Sequence, residues 1–203
     1  ISVAHVNHGL RADESEADEV WLRALAADRG LPFAARRVDP ESLREGRSHR
    51  ARPTRQEAAR RLRYAALEAL RSELGAECIA TAHNLDDQAE TVLLRLLRGA
   101  AGDALGGIPE RSPDGVIVRP LLRVARCEIE AWAREQALDW REDSSNGSDA
   151  YARNRLRRHW LPGLAAEFNP RLLRAIADLA EAQRKDAEWI AGQDIPDLNS
   201  GMR

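Results

Sequence analysis

Hydrophobic positions along this chain form short continuous runs that alternate with longer stretches of helical spacing. Ile1 to Val6 is nearly all apolar and reads as a buried strand. From Asp13 to Arg29 the apolar positions recur with a helical period. Asp13, Glu14, Glu16, Asp18 and Glu19 crowd the start, where the helix dipole favours negative charge, and Gly30 and Pro32 stop the pattern. Leu31 to Val38 reads as a second strand. Asp39 to Pro53 is polar, basic and aperiodic, a connecting loop. It leads into an amphipathic helix that begins near Thr54, where Thr54 and Glu57 make a capping box, and ends at Gly75. Glu77 to Ala82 predicts a short strand, and Asp86 to Arg98 a helix closed by Gly99. Three strand–helix alternations predict an α/β fold, a parallel sheet with flanking helices. The glycine- and proline-rich stretch Gly99 to Pro120 marks a boundary, giving an α/β domain over residues 1–105 and a smaller helical region over 106–203. In that region Ala125 to Gln136 and Pro170 to Ile190 are the clearest helices.

Composition narrows the class. At 203 residues, 43% hydrophobic and 32% charged, the chain is an ordinary globular sequence, and collagen-like or wholly disordered readings are excluded. No run approaches the roughly 18 apolar residues of a membrane helix, and the first residues lack the pattern of a secretory leader. Cys78 and Cys127 form no CxxC pair, so neither a disulfide framework nor a thiolate metal site is supported, and a cytoplasmic location is expected. The net charge of −2 argues against nucleic-acid binding through overall charge, so local charge must decide. Lys185 is the sole lysine, which coding bias explains as readily as a need for bidentate phosphate contacts.

Three constellations carry possible chemistry. His83 to Glu90 spans a strand–helix junction, the crevice where open α/β sheets bind ligands. Asp87 and Glu90, three apart, share a helix face. They suit a divalent cation beside a polyphosphate, or a substrate amine, with His83 as a proton or hydrogen-bond donor. The competing account is structural: Asp86 caps the helix, Asp87 and Glu90 complement its dipole, and His83 is a partly buried polar residue. Between Arg44 and Arg63 eight arginines stand against two acids, which suits a phosphate partner or a solvated helix face; Arg60, Arg63 and Tyr64 are placed to turn toward the sheet edge. From Tyr151 to Arg174 six arginines stand against one acid, with Tyr151, Trp160 and Phe168 interleaved, as on a surface that grips phosphates and stacks on bases. Alternatively, Ser144, Ser145 and Asn146 are loop residues and Trp160, Leu161 and Leu164 are core.

Several strings together resemble the tRNA(Ile)-lysidine synthetase family, in family order: HVNHGLR (His5 to Arg11), EAARRLRY (Glu57 to Tyr64), ATAHNLDDQAETVLLRLLRGA (Ala80 to Ala100), GIP (Gly107 to Pro109), RPLL (Arg119 to Leu122), and EDSSN followed by D-x-Y-x-RNRLR and LP (Glu142 to Pro162). GIP alone is weak, whereas AHNxDDQxET with EDxSN and RNRxR is specific. The resemblance implies a PP-loop ATP pyrophosphatase acting as a ligase. With ATP and Mg2+ it would adenylate the wobble cytidine of the CAU-anticodon isoleucine tRNA and join free L-lysine to it. Residues 1–105 would bind the nucleotide and 106–203 would contact tRNA; a homodimer is compatible with the pattern.

Carried over residue by residue, Asp87 would serve the magnesium and reacting centre, Glu90 the lysine amine, and His83 the α-phosphate. Arg63 would stabilise the adenylate, and Arg155 of RNRxR would reach back from the second region. His5, Asn7 and His8 would line the strand end near the nucleotide. The family's SGGxDS phosphate loop, which lies upstream of HVNHGLR, is absent from this sequence, and so are its strand and helix. The expectation is therefore a truncated piece with an unfilled sheet position, weak or inactive alone, its tail from Gln193 also cut. A tRNA thiolase of the same superfamily would need cysteine pairs that this sequence lacks. The remaining alternative is a noncatalytic RNA-binding module derived from the enzyme.

Overall fold

The structure is a computed structural model that describes residues 1–9, 13–46, 52–141 and 149–193. It divides into two compact units, Ile1–Ile79 with Pro113–Ile117, and Ala80–Ser112 with Val118–Arg203.

In the first unit, β1 (Val3–Asn7) lies parallel to β2 (Phe33–Arg37), His5 opposite Ala35 and Asn7 opposite Arg37. Helix α1 (Asp13–Asp28) joins them, as parallel strands require a crossover. It ends at Gly30, whose φ of +63° lets the amides of Gly30 and Leu31 turn back onto Ala27 and Ala26. Helix α2 (Arg55–Glu73) starts on the expected capping box: the Thr54 hydroxyl accepts from the Glu57 amide while the Glu57 carboxylate accepts from the Thr54 amide. It packs against β1 and β2, burying Ala58, Ala59, Ala66 and Leu70, three of them small enough for close approach.

Strand β3 (Ile79–Ala80) pairs in parallel with β4 (Ile117–Val118), the Ile79 amide donating to Val116 O and the Thr81 amide to Val118 O. The strand pairs are thus β1–β2 and β3–β4. β4 has no counterpart in the sequence reading, because two residues are too few to show a period.

The second unit is built on α3 (Leu85–Leu96). Its inner face, Ala89 and Val92, packs on Ile176 and Ala180 of α7 (Leu172–Ala191), with Leu93, Leu172 and Leu173 at the margin. Around them lie α4 (Arg126–Glu135), α5 (Ala152–Arg155), a π-helical turn (Leu156–Trp160) and α6 (Leu161–Glu167). The expected cap of α3 is corrected: Asn84, in extended backbone, caps it, its Oδ1 accepting from the Asp87 amide while Asp87 Oδ2 accepts from the Asn84 amide. Asp86 instead receives the Arg126 amide at 2.8 Å. The core reading of Trp160 is also corrected, for it is 64% exposed while Leu156 and Leu161 on either side are buried.

The GIP segment has a physical account. Gln88, on the buried face of α3, clamps Ile108 through both ends of its amide: Nε2 donates to Ile108 O (3.1 Å) and Oε1 accepts from Ile108 N (2.6 Å). Arg95 donates to Gly107 O and Arg119 to Pro109 O. Gly107 has φ +64°, and a Cβ there would stand 2.6 Å from Gln88 Oε1. Gly107→Ala should therefore destabilise the protein by roughly 2 kcal/mol, through the left-handed backbone and the displaced clamp. Urea unfolding checks this, and a loss below a few tenths of a kcal/mol would contradict it.

Candidate functional site

The first unit gathers His5, Asn7, His8 and Arg63 at the carboxyl end of β1. Arg63 leaves α2 and donates from Nε to His8 Nε2 at 2.9 Å. That bond assigns the His8 proton to Nδ1, and Nδ1 is buried with no hydrogen-bond partner among the described residues, as is His5 Nε2. Burial, reinforced by the charge of Arg63 and by His5, pushes the His8 imidazole down to about 4. Burial likewise lowers His5, with Glu19 and Asp18 opposing it. Both rings are therefore neutral at pH 7, polar but uncharged surface beside a cation. Asn7 has a different task. It is 1% exposed, its Nδ2 donates to Ser15 O and Glu19 Oε2, and its Oδ1 accepts from the Gly9 amide, so it ties the strand end to α1. A cavity of about 310 Å³ opens beside His8, lined also by Gly9, Glu16, Arg37, Val38 and Asp39.

The arginine-rich run leading into α2 is less open to phosphate than its composition suggests. Arg44, Arg52 and Arg55 converge on Glu41, and Arg60 stacks over Tyr64 with 5.0 Å to the ring centre. Hydrogen bonding from Arg55 holds the Glu41 carboxyl below its ordinary range. Arg47 and Arg50 lie outside the described residues.

In the second unit, α3 carries Asp87 and Glu90, and His83 immediately precedes its cap residue Asn84. The His83 Nδ1 lies 2.9 Å from the Thr81 hydroxyl, which orients the ring. Glu90 is fully buried, yet both of its oxygens are met by guanidinium. Arg157 Nε donates to Oε1 at 2.6 Å and Nη2 to Oε2 at 3.0 Å, while Arg153 Nε stands 3.3 Å from Oε2. Arg157 Nη2 also reaches Asp87 Oδ1 at 3.4 Å. Burial pushes the Glu90 carboxyl above its ordinary value against the pull of Arg157 and Arg153. Burial works against the Arg157 charge too, but the hydrogen bond and charge of Glu90, with Asp87 and Asp86, raise it overall.

The sequence reading missed Arg157. Arg155 does not join the carboxylates; its Nη1 donates to the carbonyls of Asp149 and Ala150, while Arg158 and His159 pair with the Asp149 carboxylate. RNRLR spans Arg153 to Arg157, and its first and last arginines, four apart on one helix face, are the ones that reach α3; that spacing is the signal that marks them. Glu142 to Asn146 lie outside the described residues. Tyr151, Trp160 and Phe168 are 43%, 64% and 73% exposed, a surface with arginine nearby in sequence rather than a core.

Residues 1–164 match the family model described as a PP-loop domain. The chain is 41% identical to the tRNA(Ile)-lysidine synthase of Solibacter usitatus over 95% of its own length, 49% identical to that of Ralstonia nicotianae over 88%, and 44% identical to that of Thermus thermophilus over 91%. It spans 41%, 37% and 34% of those relatives. Among solved structures, the U34-tRNA thiolase NcsA from Methanococcus maripaludis with its 4Fe–4S cluster superposes with a TM-score of 0.67 at 18% identity, covering 90% of this chain and 60% of that one, which shows a shared fold.

The histidines set a pH dependence. An imidazole held at about 4 in the folded chain and near 6.5 when unfolded takes up its proton preferentially in the unfolded state, so its contribution is full above 6.5 and is lost as pH falls toward 4. Glu90 acts in the opposite sense, its raised carboxyl costing stability as pH rises through the carboxylate range. The thermal stability of the first unit should therefore fall from pH 7 to pH 5, and His8→Gln should flatten that slope. An unchanged slope in the variant would contradict the assignment.

Proposed function

The chain belongs to the PP-loop domain family, and on that premise we propose that it works in the ATP-dependent ligation of L-lysine to the wobble cytidine of CAU-anticodon isoleucine tRNA, in the cytoplasm. The observation that carries this reading is the pair Asp87 and Glu90 on the first turns of α3, with Glu90 fully buried yet charge-matched, in a chain similar to lysidine synthases over most of its length. A buried carboxylate that accepts cationic donors through both oxygens has the right chemistry to receive an ammonium group.

The reaction logic follows from the electrophile. The 2-carbonyl of cytosine is a poor target for an amine until its oxygen becomes a good leaving group. Its oxygen bonds to the α-phosphorus of ATP as the bond to pyrophosphate breaks. The lysine side-chain amine then attacks C2, AMP departs and the amine loses a proton. In the first unit, the buried His5 Nε2 and His8 Nδ1, without a hydrogen-bond partner among the described residues, fit a hydrogen-bonding ligand such as a nucleotide, and Arg63 supplies positive charge to the adenylate. In the second, His83 serves the α-phosphate. No group of three or more His, Cys, Asp or Glu that suits a metal occurs among the described residues. Asp87 would hold Mg2+, which would offset the charge of the leaving pyrophosphate. Residues 1–105 are assigned to the nucleotide. Residues 106–203 are assigned to the tRNA, with Tyr151, Trp160 and Phe168 as stacking surfaces. Arg153 and Arg157 take the place beside the carboxylates that the resemblance gives to Arg155, which is assigned to the loop at Asp149.

The test is incorporation of labelled lysine into CAU-anticodon isoleucine tRNA, with ATP and magnesium and with initiator methionine tRNA as control. It is run on the chain alone and with an SGGxDS-bearing segment joined ahead of Ile1. Incorporation confined to the isoleucine tRNA in either arm supports the reading. Salt-dependent tRNA binding with no incorporation in both arms would replace it with a noncatalytic RNA-binding module. In the active form, Glu90→Gln should raise the KM for lysine by about tenfold or more while changing that for ATP far less, because a carboxylate facing an ammonium acts mainly through charge. Equal losses in both would refute the role of Glu90.

A further inference from the structure

If Glu90 receives the amine, as proposed above, the structure presents an obstacle: that carboxylate is already taken. Glu90 has no exposed surface, whereas the side chains of Arg157 and Arg153 keep 25% and 43% of theirs, so the guanidinium groups lie over the carboxylate. An incoming ammonium reaches Glu90 only by displacing one of them.

The two arginines are not equivalent. Arg153 is anchored to α3 itself, its Nη2 donating to the Thr91 hydroxyl at 2.7 Å. Arg157 makes its hydrogen bonds to the two carboxylates of the site, Glu90 and Asp87. It projects from the π-helical turn Leu156–Trp160, a local widening of the helix of the kind that recurs at functional sites. A guanidinium drawn away from two carboxylates is stable only if another anion takes their place, and its planar fork matches a phosphate as well as a carboxylate.

We propose that Arg157 is a gate on amine binding: it occupies Glu90 in the resting protein and vacates it when a phosphate-bearing substrate takes the guanidinium, so that anion and amine bind with positive coupling. The amine is thereby excluded until the anion is in place. Arg153, held to α3 through Thr91, stays on Glu90 as its cationic partner throughout. Linkage requires the coupling to be reciprocal, lysine strengthening nucleotide binding by the same factor.

Equilibrium binding of labelled L-lysine to the full chain, with and without ATP and magnesium and in the absence of tRNA, measures the coupling. In the parent protein the nucleotide should tighten lysine binding by about tenfold or more. In Arg157→Gln, lysine should bind without nucleotide about as tightly as the parent binds it with nucleotide, and the coupling factor should fall to near one. Loss of lysine binding in Arg157→Gln under both conditions would mean that Arg157 merely supports Glu90, and the gate would be overturned. Coupling of the parent size in the variant, or none in the parent, would overturn it too while leaving the amine site standing. Absence of lysine binding to the parent under every condition would remove the function reading and the gate with it. As a check that needs no variant, the Arg157 Nε–H resonance of arginine-labelled protein should shift when pyrophosphate is added, and an unmoved signal would count against the gate.

Discussion

The buried carboxylate of Glu90 is the constraint around which the second unit is organised. An ionised carboxylate out of water is expensive, and losing one partner of such a pair typically costs about 3–5 kcal/mol, whereas an apolar replacement of the whole pair is often neutral. Glu90 and its arginines are therefore weak evidence of a stability device and stronger evidence of a working site. The arrangement reaches well beyond the pair itself. Each polar side chain at the start of α3 recruits a different part of the chain: Asn84 and Asp87 close the cap, Asp86 holds the Arg126 amide, and Gln88 holds the GIP segment. Helix α3 is thus a rigid spine whose apolar face is set against α7 and whose polar positions fix the loops around it.

The first unit uses charge in the opposite way. Where the second meets a buried anion with cations, the first sets two neutral imidazoles near the Arg63 guanidinium, and burial keeps them from competing with it for an anion. Asn7, at the same strand end, spends its hydrogen bonds on Ser15, Glu19 and Gly9. A ligand arriving there would meet the ring nitrogens of His5 and His8 rather than the Asn7 amide.

Much of this was legible in the sequence, for local reasons. The capping box of Thr54 and Glu57, the stop at Gly30 and the placement of Asp87 and Glu90 on one face depend on neighbours within four residues, and that is the range over which spacing speaks. What escaped depended on longer range. Asn84 rather than Asp86 caps α3 because Asn84 holds extended backbone just ahead of the helix, whereas Asp86 lies inside its first turn and gives its carboxylate to an amide forty residues away. Trp160 read as core because apolar neighbours flank it, but the π-helical turn redirects the side chains around it. Five arginines lie between Arg153 and Arg171, and nothing in their order says that Arg153 and Arg157 face carboxylates while Arg155 serves a loop carbonyl.

The convergence of Arg44, Arg52 and Arg55 on Glu41 bears on how the chain would meet a polyanion. Counterion release scales with the number of phosphates neutralised rather than with the number of arginines carried. Cations already committed to a carboxylate add little to it unless that carboxylate is first set aside. The dependence of polyanion affinity on salt would then be shallower than a count of basic residues implies, and discrimination would rest more on shape and stacking than on charge.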